Sequence, residues 1–206
     1  MRAEDDESCK NVVTLGVKTK KDLRTKMTDE LIVIKDVAKK LDLLGIPYMI
    51  TGSIAMSLYI VPRMTRDIDL VVEISTQEIK SLIDLFTKDY YISSDSVLDA
   101  VTNKRMFNVI HNETLVKVDF IIKKEHAFRE VEFERKRKVT IDSTDVWVVS
   151  IEDLILSKLM WAKDTRSSMQ LQDIGLLLES DCDKNYIKNW AVKLGIDKFL
   201  EEARKR

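Results

Sequence analysis

Cysteine is nearly absent: Cys9 and Cys182 are the only two in 206 residues. They lie far apart and match neither a zinc-ligand spacing nor a disulfide framework. A reducing compartment fits that usage, and the expected location is cytoplasmic. The two histidines, His111 and His126, have no second ligand at metal-binding spacing and read as a strand-end and a loop histidine. No excess of one charge exists either, since the formal net charge is -1 and the pI about 6.2. A global positive field for nucleic acid is therefore excluded, and any such contact must come from a local patch. No apolar run approaches the roughly 18–20 residues of a membrane span, and the opening MRAEDDESCK is polar and acidic. A soluble chain without membrane contact is expected.

With 45% hydrophobic and 33% charged residues, the chain can bury one full core, or one domain with a helical appendage. Residues 1–25 mix acidic and basic clusters with little periodicity and read as a flexible arm. From Thr28, Leu31, Ile34, Val37, Leu41 and Leu44 recur at helical spacing until Gly45 and Pro47. A strand over 48–50, a short helix over 54–59 stopped by Pro62, a strand over 68–74 and a helix over 77–86 follow. Further strands are expected over 107–110 and 115–122, then a charged amphipathic segment over 128–137 and short strands over 138–141 and 146–149. Ser150 reads as the N-cap of a helix over 151–161, with Asp153 completing a box-like start. Helical periodicity continues over 169–178, 184–194 and 198–204, with no strand signal after Val149. The expected fold is α/β (α+β): a mixed sheet flanked by helices over 26–149, then a helical C-terminal part over 150–206.

The chemistry concentrates in Gly52-Ser53, thirteen intervening residues, and Asp67-Ile68-Asp69-Leu70. On a strand, Asp67 and Asp69 point to one face, about 7 Å apart along the chain. Two carboxylates that close are unfavourable unless a cation sits with them, and Mg²⁺ suits oxygen ligands best. Glycine then serine at a strand-to-helix turn lets a phosphate approach the backbone, facing amide N–H groups and a helix N-terminus. In consecutive strand units, the two features bring a triphosphate and its ions together.

The segment ITGSIAMSLYIVPRMTRDIDLVV resembles the nucleotidyltransferase superfamily related to DNA polymerase β. That pattern is a hydrophobic residue, Gly and Gly or Ser, then, after a gap, Asp-hydrophobic-acid-hydrophobic; the gap here is at its upper end. The resemblance implies a third carboxylate on a later strand, for which Asp119 in LVKVDFII is the candidate, the alternative being a salt bridge to Lys117 or a neighbour. Arg63, at a position often basic in the family, and Arg66 are candidates for phosphate. The C-terminal half is similar to the prokaryotic branch that includes the AbiEii-type toxins of toxin–antitoxin systems. In SIEDLILSKLMWAKDTRSSMQLQDIGLLL, the resemblance assigns Lys158 to nucleotide phosphate and Asp173 to the acceptor side. Trp161 departs from that branch, which prefers alanine three residues after the lysine.

The activity this implies is transfer of a nucleoside monophosphate from a nucleoside triphosphate to an acceptor hydroxyl, with release of pyrophosphate. Asp67, Asp69 and Asp119 would hold two Mg²⁺ ions, and Gly52, Ser53, Arg63, Arg66 and Lys158 would bind nucleotide. The acceptor, whether RNA, protein or a small molecule, is not legible, and the toxin resemblance adds an antitoxin protein as partner. The alternative is a non-catalytic nucleotide-binding or regulatory protein that keeps the fold. Trp147, Trp161 and Trp190 read as core or interface aromatics. The basic run Arg135-Lys136-Arg137-Lys138, with Lys18, Lys20, Lys21, Arg24 and Lys26, offers electrostatic guidance to RNA or simply a solvated face.

Overall fold

The computed structural model describes residues 28–60 and 67–205. The expected N-terminal arm and its lysines lie outside the described residues.

Helix α1 (Thr28–Leu44) buries Val33, Ile34, Val37, Ala38 and Leu41 along one stripe. Gly45, at φ +66°, turns the chain, and Ile46 N–H donates to Leu41 O at 2.9 Å, which satisfies a carbonyl of the last turn. Strand β1 (Tyr48–Thr51) follows with all four residues buried, as a strand covered on both faces requires. Then come α2 (Gly52–Tyr59), β2 (Asp67–Val72), α3 (Ile79–Phe86), β3 (Tyr90–Ile92), α4 (Ser94–Asn103), β4 (Met106–His111) and β5 (Lys117–Ile122). After α5 (Ala127–Glu134), a hairpin of β6 (Arg137–Ile141) and β7 (Thr144–Val148) completes the sheet. The helices α6 (Ile151–Thr165), α7 (Ser168–Leu178), α8 (Lys184–Lys193) and α9 (Asp197–Ala203) end the described chain.

The seven strands form one mixed sheet in the order β3-β4-β5-β2-β1-β7-β6. β2 runs parallel to β5 and β1 parallel to β7, and the other neighbours are antiparallel. Alternation gives the sheet two unlike faces. Ile68, Leu70, Val72, Val118, Phe120, Phe107 and Val109 point into the core. There Phe107 stacks on Phe120 with centroids 4.9 Å apart, and Phe86 from α3 meets Phe120 edge-on at 5.6 Å. Asp67, Asp69, Val71, Asp119, Ile121 and Met106 occupy the opposite face, which lines a cavity.

Two elements, β3 and α4, fall where no element was expected. β3 has three residues and lies at the sheet edge. α4 opens on a Ser/Asp-rich stretch, where Ser93 caps it by accepting from Ser96 N–H at 3.3 Å. Elsewhere only ends differ; α6, for example, runs on from Trp161 to Thr165.

Candidate active site

The turn from β1 into α2 begins at Gly52, which has φ +66°. In the antiparallel register Thr51 lies opposite Asp69. A Cβ on Gly52 would stand 2.0 Å from Asp69 Oδ2, so glycine is required both for the left-handed backbone and for room. The Asp69 carboxylate thus rests against the start of α2. Thr51, the N-cap, makes no side-chain cap bond, leaving the first amides of the helix without that partner. A phosphate at Gly52-Ser53 matches this N-terminus in charge and donors.

Parallel pairing of β2 with β5 sets Asp69 opposite Asp119 and Asp67 opposite Lys117. The three acids are legible in the sequence, where Lys117 enters only as the salt-bridge alternative for Asp119. Lys117 Nζ lies 2.9 Å from Asp119 Oδ2 and 3.7 Å from Asp67 Oδ2. That ion pair therefore forms, at the heart of the acidic cluster and not apart from it. Burial pushes the Asp69 carboxyl up to about 6, with Asp119 and Asp67 adding repulsion and Lys117 and Lys158 opposing. The hydrogen bond to Asp119 is the largest influence on the Lys117 ammonium, whose pKa is raised.

Among the described residues no three His, Cys, Asp or Glu side chains converge on one ligand point. The donor set nevertheless suits a divalent ion. The acids supply hard oxygen atoms only. Asp119 is 6% exposed, and its Oδ1 is buried without a hydrogen-bond partner, a costly state that a cation would relieve.

The opposite wall comes from α6 and α7. Ser150 caps α6 as expected, accepting from Asp153 N–H at 3.2 Å and donating Oγ–H to Asp153 Oδ2. Asp153 is fully buried and also accepts from Arg135 Nε at 3.0 Å and Tyr186 Oη at 2.7 Å, tying α5, α6 and α8 together. Two turns on, Lys158 reaches the cavity, donating to Gln170 Oε1 at 3.1 Å and Asp173 Oδ2 at 3.0 Å. Asp173, expected at the acceptor side, does not line the cavity: it is 5% exposed and sits behind Lys158 as its counter-ion. Trp161, read from the sequence as a core or interface aromatic, is not in the core. It is 56% exposed and stands one turn beyond Lys158 at the cavity wall.

The cavity measures about 610 Å³ and joins both walls, from Thr51, Gly52, Ser53 and the three aspartates to Lys158, Trp161, Met169 and Gln170. Val71, Ile121 and Met106 extend the sheet side as an apolar strip. Beyond it, Glu132 on α5, 1% exposed, accepts from Arg129 Nη1 at 2.6 Å and from Ser157 Oγ at 2.5 Å. Burial raises the Glu132 carboxyl despite Arg129. Sequence reasoning missed this network. Its one signal was an acid four residues after Phe128, on the buried stripe of an amphipathic helix.

Arg63 and Arg66 lie outside the described residues. The basic run is internally engaged: Arg135 pairs with Asp153 and Glu152, Arg137 with Glu152 and Lys138 with Asp145, while Lys136 Nζ donates to Phe133 O. His111 ends β4 beside Thr114, and His126 caps α5 by accepting from Phe128 N–H. Neither reaches the cavity.

The chain matches the family described as nucleotidyl transferase AbiEii toxin, type IV toxin–antitoxin system, over residues 40–198. Among solved structures it is similar to an antigenic nucleotidyltransferase-like protein from Paracoccidioides brasiliensis, at 20% identity and TM-score 0.53, covering 86% of this chain and 93% of that one. It is also similar to the antibiotic-resistance factor ANT(2'')-Ia, at 15% identity and TM-score 0.51, covering 87% and 93%. At these identities the likeness is one of fold. A search of curated proteins finds no significant match.

Proposed function

Because this chain belongs to the nucleotidyl transferase AbiEii toxin family, and is therefore a nucleotidyltransferase, we propose that it moves a nucleoside monophosphate from a nucleoside triphosphate to an acceptor hydroxyl. The acceptor oxygen forms a bond to the α-phosphorus as the bond to the β-phosphate oxygen breaks, and pyrophosphate leaves with that electron pair. Gly52 and Ser53 seat the β- and γ-phosphates, and Arg63 and Arg66 are further phosphate ligands. Lys158 neutralises developing charge, with Asp173 and Gln170 as positioning residues that hold it. Asp119 takes the proton of the attacking hydroxyl.

Asp67, Asp69 and Asp119 would hold two Mg²⁺ ions, which when bound neutralise the triphosphate and lower the pKa of the attacking hydroxyl. In-line attack requires the acceptor to enter opposite the pyrophosphate. The strand order, with the phosphate seat at the end of β1 and Ile121 and Met106 lining the cavity on β5 and β4, supports entry on that side. The acceptor is an RNA, a protein or a small molecule. As a toxin, the enzyme would stop growth by modifying that acceptor, with an antitoxin protein as counterpart.

The observation that carries this assignment is the packing of Gly52 beneath Asp69, which makes the phosphate seat and the acidic cluster one unit. Calorimetry with ATP, CTP, GTP and UTP in Mg²⁺ tests it, alongside pyrophosphate release in the presence of cell lysate. At least one triphosphate is expected to bind and to yield pyrophosphate. Binding of none would overturn the proposal.

A further inference from the structure

Lys117 has no part in the chemistry set out above, yet its ammonium is the cation that spans the acidic cluster. It stands two residues before Asp119 on β5, hence on the same face, and directly across from Asp67 in the parallel register. Its Nζ reaches carboxylates on both strands, at 2.9 Å and 3.7 Å. The two partners differ in freedom. The Asp119 side chain is 9% exposed and fixed in the sheet, whereas the Lys117 side chain is 37% exposed, on a flexible stem with an outlet to solvent. One ammonium cannot satisfy the cluster, because Asp119 Oδ1 remains buried and unpartnered beside it.

We propose that Lys117 is an internal counter-ion: it occupies the position between Asp67 and Asp119 in the metal-free enzyme and swings into solvent when a divalent ion binds there. This inference rests on the metal site proposed above. A single charge on a long, rotatable stem holds the carboxylates in register between turnovers. A doubly charged ion with several open coordination positions outcompetes it, because the ion engages more oxygen atoms, including the buried one. Ion affinity is then set by an exchange and not by simple binding. The metal-free enzyme is also kept idle, because Lys117 holds the carboxylate that receives the acceptor proton.

Mn²⁺ without nucleotide is the probe, titrated by calorimetry into the full chain and its Lys117→Met variant at neutral pH. The variant is expected to bind Mn²⁺ at least about tenfold more tightly, since a competing charge has been removed. In parallel, the wild-type chain is acetylated across a Mn²⁺ titration and Lys117 labelling is read by peptide mass spectrometry. Labelling should rise as Mn²⁺ binds, whereas a lysine that merely sits nearby would not change. Equal or weaker Mn²⁺ affinity in the folded variant, or flat labelling while Mn²⁺ binds, would overturn the role of Lys117 and leave the metal site standing. Absence of Mn²⁺ binding to both chains would remove the metal site and this inference with it. Should the variant fail to fold, wild-type labelling decides the question.

Discussion

The Cα of Gly52 lies under the carboxylate of Asp69, so close that a methyl carbon built there would stand 2.0 Å from Oδ2 and 2.8 Å from Cγ. The glycine that opens α2 and the acid at the centre of the charged cluster therefore leave no room for a side chain between them.

Gly52→Ala should damage both halves of the site. The left-handed backbone alone costs about 1–2 kcal/mol with a Cβ present, and the collision adds to it. Triphosphate affinity should fall along with stability. In the double variant Gly52→Ala with Asp69→Ala, the two closest contacts are gone and only the Asp69 Cβ, 3.1 Å away, still crowds the new methyl, so denaturant melts should recover part of the lost stability. A double variant no more stable than Gly52→Ala alone would show that the contact is not limiting.

Asp69 is an acid whose pKa is raised in the folded chain, to about 6. Folding thus favours its protonated form. The penalty for ionising it is absent below the ordinary carboxyl range, grows as pH rises, and is complete above about 6. The metal-free Asp69→Asn variant should then be more stable than wild type at neutral pH, by roughly 1–2 kcal/mol after allowance for partial exposure. The gap should close in acid below the ordinary carboxyl range. Thermal melts against pH check this; a variant less stable than wild type at neutral pH contradicts it. Adding Mg²⁺ should stabilise wild type and not the variant.

The period-2 signal made Asp67 and Asp69 legible from sequence, and Ser150 with Asp153 announced the helix that carries Lys158. Those are local patterns. Which strands become neighbours is not local. The parallel pairing of β2 with β5, across the intervening segment of α3, β3, α4 and β4, sets Asp119 beside Asp69 and Lys117 beside Asp67. β3 was invisible because three edge residues carry too little periodicity, and Glu132 because a buried acid on an apolar stripe is recognisable only once Arg129 and Ser157 are seen around it. The bond of Asp173 to Lys158 was not legible for the same reason: its partner lies fifteen residues away on another helix.

Lys158 and Asp173 are both about 5% exposed and bonded at 3.0 Å. Lys158→Met should therefore lower stability by roughly 3–5 kcal/mol, because it takes the ammonium from a buried carboxylate. Lys158→Met combined with Asp173→Leu should restore much of the melting temperature without restoring transfer. Recovered transfer in that double variant would show that Lys158 serves only the fold.

Trp161, 56% exposed on the cavity wall, supports little of the core. Trp161→Ala should shift stability by no more than about 1 kcal/mol while raising KM for triphosphate or acceptor. Unchanged KM for both would remove Trp161 from the binding surface.

Nucleotidyl transfer by the acidic cluster is tested most directly with labelled triphosphates. Each α-labelled nucleoside triphosphate is incubated with the protein, Mg²⁺ and either total RNA or lysate, and label in macromolecules and small molecules is followed. Wild type should transfer label from at least one triphosphate, and the Asp67→Ala, Asp69→Ala double variant should transfer none. No label on any acceptor, or equal transfer by the variant, would contradict it.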